Sequence, residues 1–88
     1  MTKTLDEKIT MEKTLREIVA KIAETTPDFA ADANLREELN VDSVRALEIV
    51  FEIERTFSVV IPEGRYGEVR TFDSLLKLVA SLQNTVAA

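Results

Sequence analysis

The sequence predicts an all-α domain, a bundle of four helices with a long loop between the first and second and a short third. Three observations carry that expectation. Apolar residues recur at helical spacing in three separate stretches, residues 5–25, 43–57 and 72–83. Pro27 and Pro62 stand between these stretches, where each stops a helix. The 88 residues are 45% hydrophobic and 31% charged, the balance of an ordinary globular chain of one small domain. We expect that domain to span residues 1–88, with frayed ends at about 1–4 and 84–88.

The first helix is expected from Leu5 to about Thr25. Leu5, Ile9, Leu15, Ile18, Val19, Ile22 and Ala23 mark its apolar side. It should stop before Pro27, because the residue preceding proline is pushed out of the helical region. Residues 26–42 then form the longest connection. A loop of this length is uncommon in a compact domain and must be pinned. Phe29, Leu35, Leu39 and Val41 are the candidate anchors, and Asn34 is placed to cap a single helical turn over Leu35–Leu39.

Asp42 stands where an N-cap is wanted, with Ser43 at the first helical position of a helix running to about Phe57. At roughly 100° per residue, Ala46, Ile49, Val50, Ile53 and Phe57 fall within one stripe about 100° wide. That stripe is the core face. Val44, Leu47 and Phe51 form a second apolar stripe, more than a right angle away. A helix with two apolar stripes either buries both or uses one for binding. Glu48, Glu52, Arg45 and Arg55 lie on the far side, and Glu54 lies between the stripes.

Ser58 to Pro62 reads as an apolar, extended connector. Glu63 to Val69 is a short helical turn weakened by Gly64 and Gly67, with Tyr66 and Val69 as its anchors. Thr71 is placed to N-cap a last helix, roughly Phe72 to Gln83, whose apolar side is Phe72, Leu75, Leu76, Val79 and Leu82.

Composition excludes several chemistries. The chain has no cysteine and no histidine, so disulfides, thiol catalysis and histidine general-base chemistry are absent, as are nearly all zinc sites. A serine nucleophile needs a base within reach, and none is supplied. Glycine-rich phosphate loops and EF-hand spacing are also missing, so no enzyme and no metal site is expected. The N-terminus is no secretory signal, and no run approaches membrane-spanning length, so we expect a cytoplasmic monomer with no membrane span. Residues 28–57 hold eight acidic and three basic side chains, which accounts for the whole net charge of −5. That local acidity argues against nucleic acid as a partner and for steering towards basic protein surfaces.

A serine without a base can still be modified by another enzyme. Ser43, exposed at a helix N-terminus after a pinned loop, suits that role, and the helix dipole favours a phosphodiester there. Physics alone does not select modification over plain capping, which is the usual role of an Asp-Ser pair before a helix.

The pattern of the surrounding residues adds a resemblance. The run Leu35-x3-Leu39-x-Val41-Asp42-Ser43-Val44, then Ala46-Leu47-Glu48-Ile49-Val50, Ile53-Glu54-x2-Phe57, Ile61-Pro62 and Thr71-Phe72-x2-Leu75 closely resembles the acyl carrier protein family, in register over about residues 5–83. The resemblance implies a bundle of acyl-carrier type with Ser43 carrying covalent 4′-phosphopantetheine and Asp42 as its motif neighbour. It implies a carrier protein synthase (a phosphopantetheinyl transferase) as one partner, and acyl-transferring or acyl-modifying enzymes with basic patches as others. Val44, Arg45, Leu47, Glu48, Phe51 and Glu54 then occupy partner-contact positions. The implied function is a carrier that holds acyl intermediates as thioesters in a fatty-acid, specialised lipid or polyketide pathway. An aminoacyl or peptidyl carrier is the alternative, as is an unmodified structural docking subunit.

Asp73-Ser74-Leu75 fits the family's Asp-Ser-Leu tripeptide better than Asp42-Ser43-Val44 does. It lacks the preceding leucine spacing, however, and the helix after it carries Lys77 and no acid, so Ser74 reads as a surface residue near a helix start. Asn40 stands where the family usually has glycine, and asparagine tolerates left-handed backbone. Val44 replaces the usual leucine. Arg45 replaces an acid common in fatty-acid carriers, and Arg55 interrupts a later acidic pair. These departures fit a carrier dedicated to a narrower pathway.

Overall fold

A computed structural model describes the backbone of residues 3–87 and the side chains of residues 10–83. The chain forms α1 (Lys3–Ala23), a single-turn α2 (Leu35–Glu38), α3 (Ser43–Phe57), a 3-10 helix (Glu63–Glu68) and α4 (Phe72–Ala87). Among the described residues there is no strand, only isolated bridges of Thr71 with Asn34 and Val69. The expected short third helix is thus of the tighter 3-10 type. No described helix is long and apolar enough to cross a membrane.

Both long terminal helices extend over the expected frayed ends where the backbone is described. Neither glycine nor proline interrupts those stretches. Met1, Thr2 and Ala88 lie outside the described residues, as do the side chains of the expected anchors Leu5 and Ile9. At its other end α1 stops at Ala23, short of the expected Thr25 and well before Pro27. Glu24 takes a left-handed φ of 60°. Its N–H donates to the Lys21 carbonyl at 3.3 Å, and that of Thr25 to Ala20 at 2.9 Å. This is a Schellman closure with glutamate in place of glycine.

The core is built from α1, α3 and α4. Leu15 and Val19 meet Ile49, Val50 and Ile53 of α3 and Phe72, Leu75, Leu78 and Val79 of α4, all fully buried or nearly so. Burying each such side chain contributes about 1.5–3 kcal/mol. The core stripe expected on α3 is the one buried, with Ala46 and Phe57 packed at its edges.

The long loop is pinned as its length required. Leu35 and Val41 are buried and Phe29 and Leu39 pack on the core. Its backbone is also tied to the start of α4. Leu35 N–H donates to the Arg70 carbonyl at 2.8 Å, and Asp73 N–H to Ala31 at 2.9 Å. Asn34 caps α2 by accepting from Glu37 N–H, while Glu38 accepts from Asn34 N–H, each at 3.0 Å. A further pin comes from Arg16 on α1. Its guanidinium donates to the carbonyls of Pro27 at 2.7 Å and Phe29 at 2.6 Å. It also stacks 4.9 Å from the Phe29 ring and 4.7 Å from the Phe72 ring. Those two rings meet edge to face at 5.5 Å. The loop therefore delivers residues 39–42 to one fixed place, beside the start of α3.

Candidate functional site

The site is the junction of the loop with α3. Asn40 adopts a left-handed φ of 58°, the turn that lets the chain reverse into the helix. Asp42 follows in an extended conformation and caps α3, its carboxylate accepting from Arg45 N–H at 2.9 Å. The Asp42 carbonyl accepts the first helical bond, from Ala46 N–H at 2.8 Å. With Asp42 carrying the cap, Ser43 is left free of that task. Ser43 is exposed, and among the described residues its hydroxyl has no hydrogen-bond partner.

Ser74 is placed quite differently. Its hydroxyl donates to the Glu68 carbonyl and sits within reach of Thr71, accepting from Thr71 N–H at 3.2 Å. Thr71 in return caps α4 by accepting from Ser74 N–H at 3.1 Å. Ser74 is half-buried and engaged on several sides, so it is a cap residue and not the surface residue expected from sequence.

Beside Ser43 a cleft of about 310 Å³ opens between α3 and the 3-10 helix, lined by Ser43, Ala46, Leu47, Val50, Tyr66 and Val69. Of the lining side chains, only those of Ser43 and Tyr66 carry a polar group. The second stripe of α3 is exposed on the same side of the helix as Ser43: Val44 is 66% exposed, Leu47 41% and Phe51 58%. For an 88-residue chain that is a concentrated exposure of large apolar side chains on one helix.

The charged residues around the stripe separate into free and occupied. Glu48 is exposed, beside a groove that α3 forms with α1 and that Phe51 also lines. Glu54 is occupied within the chain, its carboxylate accepting from Ile61 N–H at 2.8 Å. Arg45 reaches away from Ser43 to α1, donating to Glu24 at 3.2 Å. Glu52 accepts from Arg55 through both oxygens, at 2.9 and 2.8 Å. The hydrogen bond from Arg55 holds the Glu52 carboxyl below its ordinary value, against partial burial that pushes it up. The structure thus brings together Asp42, Ser43, Val44, Leu47, Glu48 and Phe51. It gives Arg45 and Glu54 internal partners that helical spacing alone does not reveal, because each lies on a neighbouring element.

A group attached to Ser43 Oγ fits this place on chemistry. The hydroxyl is exposed and unengaged, the helix N-terminus favours a phosphodiester, and no acid stands in the first turn of α3. Among the described residues there is no cluster suited to hold a metal ion.

Comparison with known proteins accords with this geometry. Residues 13–82 match the sequence profile of a family described as "Phosphopantetheine attachment site". The chain is 44% identical over 68 residues to the "Anthracycline acyl carrier protein DpsG" of Streptomyces peucetius, covering 74% of this chain and 81% of that protein. It is 32% identical over 60 residues to an acyl carrier protein of Amoebophilus asiaticus, covering 68% of this chain and 75% of that one. It is 30% identical over 90 residues to an acyl carrier protein of Streptomyces coelicolor, covering 100% and 94%.

Proposed function

The chain belongs to the acyl carrier protein family, and from that membership we propose that Ser43 is the residue carrying 4′-phosphopantetheine, on which acyl intermediates are held as thioesters for partner enzymes. The observation that supports this choice most directly is the contrast between the two Asp-Ser pairs. Ser43 offers an exposed, unengaged hydroxyl, whereas that of Ser74 is fixed among Thr71 and Glu68. Attachment joins Ser43 Oγ to the phosphorus of the phosphopantetheine unit and breaks the pyrophosphate bond of coenzyme A, releasing the nucleotide bisphosphate. The transferring synthase takes the serine proton, since this chain has no histidine to accept it. When bound, the group supplies the thiol that a chain without cysteine lacks.

The chain's own residues hold and present that site. Asp42 keeps the first turn of α3 closed, so the helix N-terminus faces the phosphodiester. Val44, Leu47 and Phe51 provide the apolar contact for a partner, and Glu48 steers a basic surface onto it. The cleft beside Ser43 offers apolar cover to a cargo folded back along the arm. Arg45 and Arg55 thin the acidity of α3, which disfavours partners built for a uniformly acidic helix. Together with the likeness to a carrier named for an anthracycline pathway, this supports a dedicated polyketide-type pathway over general fatty-acid synthesis.

Intact-mass measurement after incubation with coenzyme A and a carrier protein synthase tests the assignment. Wild type and Ser74→Ala should each gain one phosphopantetheine, and Ser43→Ala none. No gain in wild type, or an equal gain in Ser43→Ala, sinks it and leaves the unmodified docking subunit as the better account.

A further inference from the structure

Resting on the carrier reading of Ser43, we infer that Tyr66 reads the oxidation level of the cargo. Its phenol hydrogen-bonds a carbonyl or hydroxyl oxygen of a chain lying in the cleft, so the cleft favours partly oxidised acyl chains over saturated ones.

The cleft is small and chemically uneven. Its about 310 Å³ is room for about ten groups the size of a water molecule, each occupying about 30 Å³. Only a short segment of a chain fits, so a single polar contact is a large part of what that segment meets. Ala46, Leu47, Val50 and Val69 offer nothing but apolar surface. Ser43 Oγ is consumed by the phosphodiester. Tyr66 is then the one lining side chain able to donate or accept a hydrogen bond. Its ring packs against the core while the residue as a whole remains half-buried, the usual placement of a tyrosine with an apolar body and a polar end. Among the described residues the phenol has no hydrogen-bond partner.

Specificity follows from the asymmetry of hydrogen bonding. A saturated chain in the cleft covers the phenol without replacing the water it displaces. A chain with an oxygen at that depth restores the bond. The discrimination is a difference between two cargoes on the same apolar wall, which is how a site built around one polar group rejects the analogue lacking the matching oxygen.

The test loads Ser43 with hexanoyl or with its β-keto counterpart and follows thioester cleavage by free β-mercaptoethanol, by intact mass. Each rate is divided by that of the same acyl group on free pantetheine, which removes intrinsic reactivity. Wild type should protect the β-keto chain about two- to tenfold more than the saturated chain. Tyr66→Phe keeps the ring and should bring the two protection factors together, with an unchanged melting profile. Equal protection in wild type, or an unchanged ratio in Tyr66→Phe, overturns the inference while leaving the carrier reading intact. Failure of Ser43 to load overturns both.

Discussion

The Arg45 guanidinium donates to the Glu24 carboxylate at 3.2 Å, joining the first turn of α3 to the left-handed residue that ends α1. Both side chains are substantially exposed, so the pair itself contributes less than about 1 kcal/mol and weakens with salt. The backbone of Glu24 matters more. A residue with a Cβ at left-handed φ costs roughly 1–2 kcal/mol, which glycine avoids. Glu24→Gly and Glu24→Gln both lose the ion pair. The glycine variant should nonetheless be more stable than the glutamine variant, by about 1 kcal/mol in urea unfolding. Equal stabilities of the two would show that the left-handed turn is unstrained.

The two serines make opposite predictions. Ser74 accepts from Thr71 N–H at the start of α4 and donates to the Glu68 carbonyl of the 3-10 helix, so Ser74→Ala should lower stability by about 1–2 kcal/mol. Ser43 makes no such bond, and Ser43→Ala should change stability by less than about 0.5 kcal/mol. Thermal unfolding of the pair decides this. A large loss in Ser43→Ala would mean that the hydroxyl has a structural duty.

Helical spacing was legible because it depends only on sequence-local geometry. The core stripe of α3, a second apolar stripe at Val44, Leu47 and Phe51, and the Asp42 cap all follow from positions within one helix, whereas the exposure of that second stripe is a tertiary fact. The left-handed Asn40 was legible for a similar reason, since its backbone tolerance is a property of the residue. Contacts between elements were not. Glu54 and Ile61 are seven residues apart, across a helix end and a connector, and nothing in their spacing joins them. The early stop of α1 was hidden because glutamate carries no mark of a left-handed cap, whereas Pro27 advertised a later one. The cleft beside Ser43 needs the 3-10 helix, held on α4, to stand opposite α3, a tertiary event that neither segment encodes alone.

Arg16 is the clearest such contact and predicts a sharp distinction between two cations. One terminal nitrogen, Nη1, donates to two carbonyls of the loop, and the planar guanidinium lies over Phe29 and Phe72. Lysine keeps the charge but has neither the reach of Nη1 nor a planar group to stack on the two rings. Arg16→Lys should therefore cost about 2 kcal/mol, close to the loss in Arg16→Ala. Amide exchange should rise most in residues 26–34. A lysine variant as stable as wild type would reduce the interaction to simple charge.

Acid sensitivity should be traceable to Glu68. Arg65 bonds both of its oxygens, at 2.8 and 3.0 Å, and also reaches Ser81 Oγ at 3.1 Å, clamping the 3-10 helix to α4. The hydrogen bond from Arg65 holds the Glu68 carboxyl below its ordinary value, and partial burial opposes it. The folded state thus takes up that proton less readily than the unfolded chain. The pair's contribution is complete above the ordinary carboxylate range, and it is lost as pH falls through the lowered folded value. Glu68→Gln should show a shallower decline of stability on acidification than wild type, with little change near neutrality beyond a constant offset. Identical slopes would exclude the clamp as a source of the acid transition.

Glu54 separates a structural role from a docking role. Its carboxylate accepts from Ile61 N–H, and Ile61 is buried in the core. Removing the acceptor leaves a backbone donor unpaired at the edge of the core, at a cost of about 1–3 kcal/mol. Glu54→Gln retains an acceptor oxygen of the same reach and removes only the charge. Glu54→Ala should therefore be destabilised by at least about 1 kcal/mol while Glu54→Gln stays close to wild type. If Glu54 also met a basic partner surface, Glu54→Gln would slow association as Glu48→Gln does, with both effects fading at high salt. The geometry leads us to expect the slowing from Glu48→Gln alone, since the Glu48 carboxylate is exposed and that of Glu54 is turned to the chain's own backbone.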